Sequence, residues 1–217
     1  IRKEIEPYVD ELHIDALGNL IARKGTKRDG GKRIMISAHM DELGVMASHV
    51  TDEGFVYIAF IGGINPLTCF GSRVRFGNGT EGVIYAETKK MNKVPDVTQL
   101  FVDVGATSKE NCPVKTGDIG VFVRPFLDLG DRVVSKALDD RIGCYVAIET
   151  LKAIKESPNE LYFVFSVQEE VGVRGAITSA YAVDPEIGIA VDVTISADTP
   201  HCEPANPVLG KGPCVKV

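Results

Sequence analysis

The sequence predicts an α/β fold: a doubly wound mixed sheet, with a small β-barrel-like domain inserted into it. Three observations lead there. Short apolar runs stop abruptly at histidine or acidic residues, as where Phe163-Val164-Phe165-Ser166-Val167 meets Gln168-Glu169-Glu170. From Leu138 onward, apolar residues recur at helical spacing. Between Val45 and Arg132 the texture changes to many short strand candidates separated by glycine-rich turns, a pattern of small barrels and sandwiches. The boundaries drawn on this basis are 1–44 and 133–217 for the sheet domain and 45–132 for the inserted β domain.

The elements follow in order. Residues 1–12 are charged and weakly amphipathic, like the tail of a helix. Ile14 to Ala22 reads as a hairpin around Gly18-Asn19. Lys24 to Lys32 is polar and glycine-rich, hence a surface loop. Arg33 to Ala38 is a short apolar run bounded by turns, consistent with a central strand. It ends in His39-Met40-Asp41-Glu42. In the inserted domain the strand candidates are Val45–Val50, Phe55–Ile61, Ser72–Phe76, Glu81–Tyr85, Leu100–Gly105 and Gly120–Val123. Turns at Gly62-Gly63, Asn65-Pro66, Gly77-Asn78-Gly79 and Thr116-Gly117-Asp118 lie between them. Lys89 to Pro95 fits neither neighbour and is expected to be a flexible loop or a seam in the chain.

The helix from Leu138 should run for roughly four turns and present Cys144, Ala147, Ile148, Leu151 and Ile154 on one face. Asp139 or Asp140 should cap its start, where the dipole favours negative charge. Pro158 and Asn159 should end it. A strand at Leu161–Val167, a short helix near Ala176–Tyr181 and a strand at Ile187–Val191 follow, the last stopping at Asp192. Alternation of strand and helix fits a doubly wound sheet.

Composition narrows the function. The 217 residues are 44% hydrophobic, enough for one substantial core or two smaller ones. A net charge of -6 without a long basic run argues against nucleic acid or an anionic membrane as the main partner. No apolar run approaches the roughly 20 residues that cross a bilayer. No secretory signal is visible. The five cysteines are odd in number and form no CxxC pair, so free thiols in a cytoplasmic, reducing setting are expected.

Chemistry gathers at the carboxyl ends of strands in open α/β sheets. The residues at those ends here are His39, Asp41, Asp139, Asp140, Glu169, Glu170 and Asp192. Adjacent carboxylates repel unless they share a cation or a proton. A hydrolytic metal pair needs two cations about 3.5–4 Å apart, a bridging carboxylate, further His or carboxylate ligands, and a free carboxylate as base. This residue set contains those types. Three points stay open on chemistry alone. Asp139 and Asp140 are equally eligible as bridge. Neighbours on an extended chain point to opposite faces, so a turn must bring both Glu169 and Glu170 inward or only one serves. Arg141 could pair with a site carboxylate or within its helix. His13, His49 and His201 read as surface or core residues.

Four ordered motifs resemble those of the glutamyl and deblocking aminopeptidases: Ser37-Ala38-His39-Met40-Asp41-Glu42, Ser135-Lys136-Ala137-Leu138-Asp139-Asp140-Arg141-Ile142-Gly143, Val167-Gln168-Glu169-Glu170-Val171-Gly172 and Ala190-Val191-Asp192-Val193-Thr194. Gly62-Gly63 and Phe101-Val102-Asp103-Val104-Gly105-Ala106 resemble the inserted domain of that family. These are cytosolic dinuclear metallopeptidases that assemble as tetrahedral dodecamers built from dimers. The resemblance implies a catalytic sheet domain, a dimerising β domain, peptide substrates and two divalent ions, zinc or cobalt, which suit His and carboxylate ligands. It implies His39 and Asp192 as ligands of the first metal, Asp139 as bridge and Glu170 as ligand of the second. Asp41 would orient His39, and Glu169 would be the general base. The metals would polarise the scissile carbonyl and bring the pKa of the attacking water towards ~7.

The family's last ligand is a histidine beyond the position matching Val217. His201 follows Asp192 too closely to replace it. A weak or absent second metal and low activity are therefore expected of these 217 residues. Two rivals are weighed. A glycoside hydrolase of endoglucanase type would need no histidine ligand, and the chain has no Trp and 7% aromatics for stacking sugars. An inactive or truncated structural subunit is the other.

Overall fold

The structure is a computed structural model that describes residues 1–87, 94–202 and 207–216. The chain opens with a helical turn α1 (Arg2–Ile5), then β1 (Glu11–Ile14), β2 (Leu20–Lys24) and β3 (Arg33–His39). Six short strands follow: β4 (Gly44–Val50), β5 (Val56–Ile61), β6 (Arg73–Phe76), β7 (Glu81–Ala86), β8 (Leu100–Asp103) and β9 (Ile119–Phe122). A small hairpin, β10 (Leu127–Asp128) with β11 (Val133–Val134), leads into α2 (Leu138–Ala153), β12 (Glu160–Ser166), α3 (Arg174–Val183) and β13 (Ile187–Ala190).

Five of these strands form a mixed sheet in the order β1-β2-β12-β3-β13. β12 and β13 flank β3 and run parallel to it, while β2 and β1 continue antiparallel beyond β12. β12 shows why helices cover both faces. Its alternation sends Leu161, Phe163 and Phe165 to one side and Val164 to the other. The first set packs with Cys144, Ala147, Ile148 and Leu151 of α2. Val164 joins Ile21, Met35 and Val183 on the α3 side. Phe163 and Phe165 are fully buried, each contributing about 1.5–3 kcal/mol relative to exposure.

The helical face read from sequence is the buried face of α2, with Ile154 packed at its edge. The helix stops at Ala153, before Pro158. Two other expectations change. Residues 11 and 12 belong to β1, not to a helix tail, because Pro7 sits in a short 3-10 turn after α1 and Asp15 starts a tight turn. The β10–β11 hairpin was not foreseen; its paired strands are two residues long, too short for a sequence pattern.

β4 to β9 close into a barrel in the order β4-β5-β8-β7-β6-β9. Val45, Val56, Ile58, Val74, Phe76, Ile84, Leu100 and Val102 fill its interior. Closure runs through β4 and β9, where Gly44 pairs with Val121. The chain therefore arrives at the barrel and leaves it at neighbouring points. Within the expectation for Lys89 to Pro95, residues 89–93 lie outside the described residues. Among the described residues no helix is long and apolar enough to cross a membrane.

Candidate metal centre

His39 ends β3, level with Ser166 of β12. Its side chain is 3% exposed, and its Nε2 lies 3.0 Å from Asp139 Oδ1, 3.9 Å from Glu169 Oε2 and 3.9 Å from Asp192 Oδ1. One donor atom from each of His39, Asp139 and Asp192 lies within 4.8 Å of the others. Donors around a tetrahedral zinc ion at about 2.0–2.2 Å stand about 3.3–3.6 Å apart. The spacing therefore suits one small divalent cation. On the other side of the ring, Nδ1 is buried without a hydrogen-bond partner and stands 3.4 Å from Asp41 Oδ1.

Each residue arrives by a different local device. Asp192 follows β13, two residues beyond the Ala190–Ser37 pair, which sets it level with His39. Asp139 and Asp140 open α2 with non-helical backbone angles, and the peptide between them is cis. They separate completely. Asp140 is buried, its Oδ2 accepting from the His39 backbone N–H at 3.2 Å and its Oδ1 from the Gly143 N–H at 3.1 Å. It caps the regular helix and holds the end of β3. Asp139 turns outward to His39, with 58% of its side chain exposed.

The Glu169/Glu170 question is answered by a turn. Gln168 takes a left-handed conformation at φ 58°, breaking the extended chain just before the two carboxylates. Ala137 and Val173 adopt similar angles. Such non-glycine residues cost on the order of 1–3 kcal/mol each and cluster where function demands a set geometry. The Asp41 carboxylate fixes the turn: Oδ1 accepts from Glu169 N at 3.1 Å and Oδ2 from Glu170 N at 3.2 Å. Glu170 stands apart from the three-residue group. It lines a neighbouring cavity of about 610 Å³ together with Asp139. The barrel reaches this wall at Gly62, φ +90°, where a Cβ would strike Leu43 and come within 3.2 Å of Glu170.

The electrostatics fit a cation. Burial works against a charged His39, but Asp41, Glu169 and Asp139 outweigh it and raise its pKa. Burial also raises the Glu170 pKa, with Asp139 and Glu169 adding to the push. Burial, helped by Asp192, pushes Asp140 up to about 6. Carboxylates crowded around one imidazole are relieved by positive charge between them.

Sequence reasoning left several supports unnoticed. Glu42 accepts from Lys136 Nζ at 2.5 and 2.7 Å and from Arg141 Nη2 at 3.3 Å. Arg141 thus pairs with Glu42, and also donates to the Met40 carbonyl. Cys144 donates its thiol to the His39 carbonyl at 3.2 Å, and burial raises its pKa to about 12. His49 stacks on Tyr57 in the barrel, and His13 lies in β1, so neither is at the centre. The five cysteines are free thiols, as expected.

Comparison with known proteins identifies the family of the chain. The M42 glutamyl aminopeptidase family model matches residues 18–217. A protein of Acetivibrio thermocellus, whose aminopeptidase designation is provisional, is 46% identical across 100% of this chain and 66% of its own length. The structure of aminopeptidase APDkam598 from Desulfurococcus kamchatkensis superposes with a TM-score of 0.89 at 39% identity, covering 98% of this chain and 62% of its own. The Pyrococcus horikoshii TET1 peptidase, described as assembling into a tetrahedron or a large octahedral shell, gives 0.77 at 32% identity, covering 91% of this chain and 64% of its own. The chain spans just under two thirds of the length of these relatives. It belongs to the M42 glutamyl aminopeptidase family.

Proposed function

We propose that this chain carries the metal centre of an aminopeptidase that removes residues from the N-terminus of peptides. The observation that carries the reading is the convergence within 4.8 Å of His39 and Asp192, at the ends of parallel strands, with Asp139 at the start of α2, and Glu169 beside them. His39, Asp139 and Asp192 would hold one divalent cation; Asp139 and Glu170, which share a cavity wall, would hold a second. Zinc or cobalt suits these donors. Bound there, the cations would polarise the scissile carbonyl and acidify the attacking water.

The chain's own groups do the rest. Glu169 lies 3.9 Å from His39 Nε2, close enough to the first cation position to accept a proton from water and return it to the leaving amine. Asp41, 3.4 Å from Nδ1, would orient His39 once the ring carries a metal, and it holds the Glu169 backbone. The free amine of the substrate needs a negative neighbour, and Glu169 or Glu170 is at hand. A homo-oligomer is proposed by analogy with TET1, and a cytoplasmic setting fits the free thiols.

Chelation tests the reading. A metal-stripped preparation should lose hydrolysis of an unblocked peptide and regain it with zinc or cobalt. An N-acetylated peptide should resist. Turnover of a cello-oligosaccharide that survives chelation would replace this reading with a glycosidase.

A further inference from the structure

We infer that Asn19, outside the donor set, is a positioning residue for Glu169 and Glu170. The inference rests on the proposed roles of those two carboxylates. Asn19 follows Gly18 in the β1–β2 turn and is completely buried. Its Oδ1 accepts from the Val167 backbone N–H at 3.0 Å. Its Nδ2 donates to the Gly175 carbonyl at 3.2 Å and to Asp15 Oδ2 at 2.6 Å. Val167 opens the loop that carries Glu169 and Glu170 after β12, and Gly175 lies in the first turn of α3, where that loop ends.

The neck of that loop is built around the amide. Gly175 N donates to the Val167 carbonyl at 3.1 Å, and Arg174 N to the Gln168 carbonyl at 3.1 Å. A Cβ on Gly175 would collide with Asn19 Oδ1 and with the Val167 carbonyl. Asn19 itself cannot rotate freely. Asp15 Oδ1 accepts from the backbone N–H groups of Leu17, Gly18 and Asn19, each at 2.9 Å, while its other oxygen takes Nδ2. The carboxamide therefore has a fixed donor end and a fixed acceptor end, matched to one carbonyl and one N–H of the loop.

Two clamps thus hold the segment. Asp41 grips its tip at Glu169 N and Glu170 N, and Asn19 grips its neck. The tip clamp is charged and next to His39. The neck clamp grips the Val167 and Gly175 main chain with an uncharged amide that also reaches Thr178 Oγ1 at 3.4 Å, and its hydrogen bonds involve none of His39, Asp139 and Asp192. Between the clamps Gln168 and Val173 are held in left-handed conformations that a free loop would abandon. Loss of the neck should displace the two glutamates while the three-residue donor group survives.

The test is Asn19→Ala in this chain and in the complete polypeptide that carries it. Four readouts are taken: cobalt binding by visible absorption, peptide hydrolysis resolved into kcat and KM, amide hydrogen exchange at Glu169 and Glu170, and the unfolding midpoint. A misplaced catalytic group costs about 100-fold, so kcat should fall about 10- to 100-fold with KM and tight cobalt binding within about 3-fold. Exchange at Glu169 and Glu170 should accelerate while the barrel amides hold. Wild-type kcat and exchange would overturn the inference. So would a parallel loss of cobalt affinity, kcat and barrel protection, which marks a structural role only. If the variant does not fold, wild-type exchange decides. One cooperative opening of the Val167, Glu169 and Glu170 amides supports the link from neck to tip, and independent fast exchange at the two glutamates breaks it. A wild-type protein without peptidase activity would fail the functional reading; exchange at the loop would still judge the clamp.

Discussion

Asp41 stands 3.4 Å from His39 Nδ1 and, with the same carboxylate, accepts the backbone N–H groups of Glu169 and Glu170. One side chain therefore couples the ring that would ligate a metal to the loop that would supply the base. An amide in its place keeps one acceptor and turns a donor towards a donor.

Asp41→Asn should accordingly cost about 10–100-fold in metal affinity or activity, the range typical of residues that orient a ligand. Isothermal titration with zinc and a peptide assay on the same preparation check this. Unchanged values in both would remove Asp41 from the account.

Glu169→Gln should leave metal content intact and lower kcat by about 10²–10⁴-fold, the usual weight of general acid–base catalysis. Elemental analysis alongside turnover separates the two effects. A variant that loses its metal would instead make Glu169 a ligand.

Two cations should bind this chain unequally. His39, Asp139 and Asp192 serve one position, while Asp139 and Glu170 alone are assigned to the other. Cobalt titration should give one tight event and a second at least about tenfold weaker, the expected consequence of fewer protein donors. His39→Ala should abolish the tight event. Two equally tight events would contradict the donor count.

Stability of the metal-free chain should carry a signature of Asp140. Its folded pKa of about 6 lies above its ordinary 3.8. The folded state therefore holds the proton more firmly, and the favourable contribution is complete below pH 3.8 and lost as pH rises through about 6. The urea midpoint of wild type minus that of Asp140→Asn should decline between these pH values. A pH-independent difference would show that Asp140 does not titrate there.

The barrel should fold by itself. Residues 44–122 contain all six strands, a separate apolar core, and ends brought together by the Gly44–Val121 pair. A fragment spanning them should give a cooperative thermal transition with β-type circular dichroism. A molten or aggregated fragment would tie the barrel to the sheet domain and argue against an inserted unit.

The reach of the sequence followed the physics of each signal. Strands ending at His39 and before Asp192 were visible because apolar runs stop sharply at polar residues, and α2 was visible through its buried stripe. The choice between Asp139 and Asp140 was not. Both are acidic and adjacent, and only backbone angles decide which one faces His39. Asn19 looked like an ordinary turn residue, since burial of a turn by a loop 148 residues away leaves no local trace. Glu42 and Arg141 were legible as charges, but their pairing depends on how the strand end meets the helix. The β10–β11 hairpin was too short to announce itself.

Cys144 rests its thiol on the His39 carbonyl, and burial pushes its pKa up to about 12, which disfavours a thiolate near neutral pH. Electrophiles therefore find no ready nucleophile there. Alkylation should mark the exposed Cys214 first, giving a handle for attaching probes while the buried Cys144 thiol at the His39 carbonyl stays chemically silent.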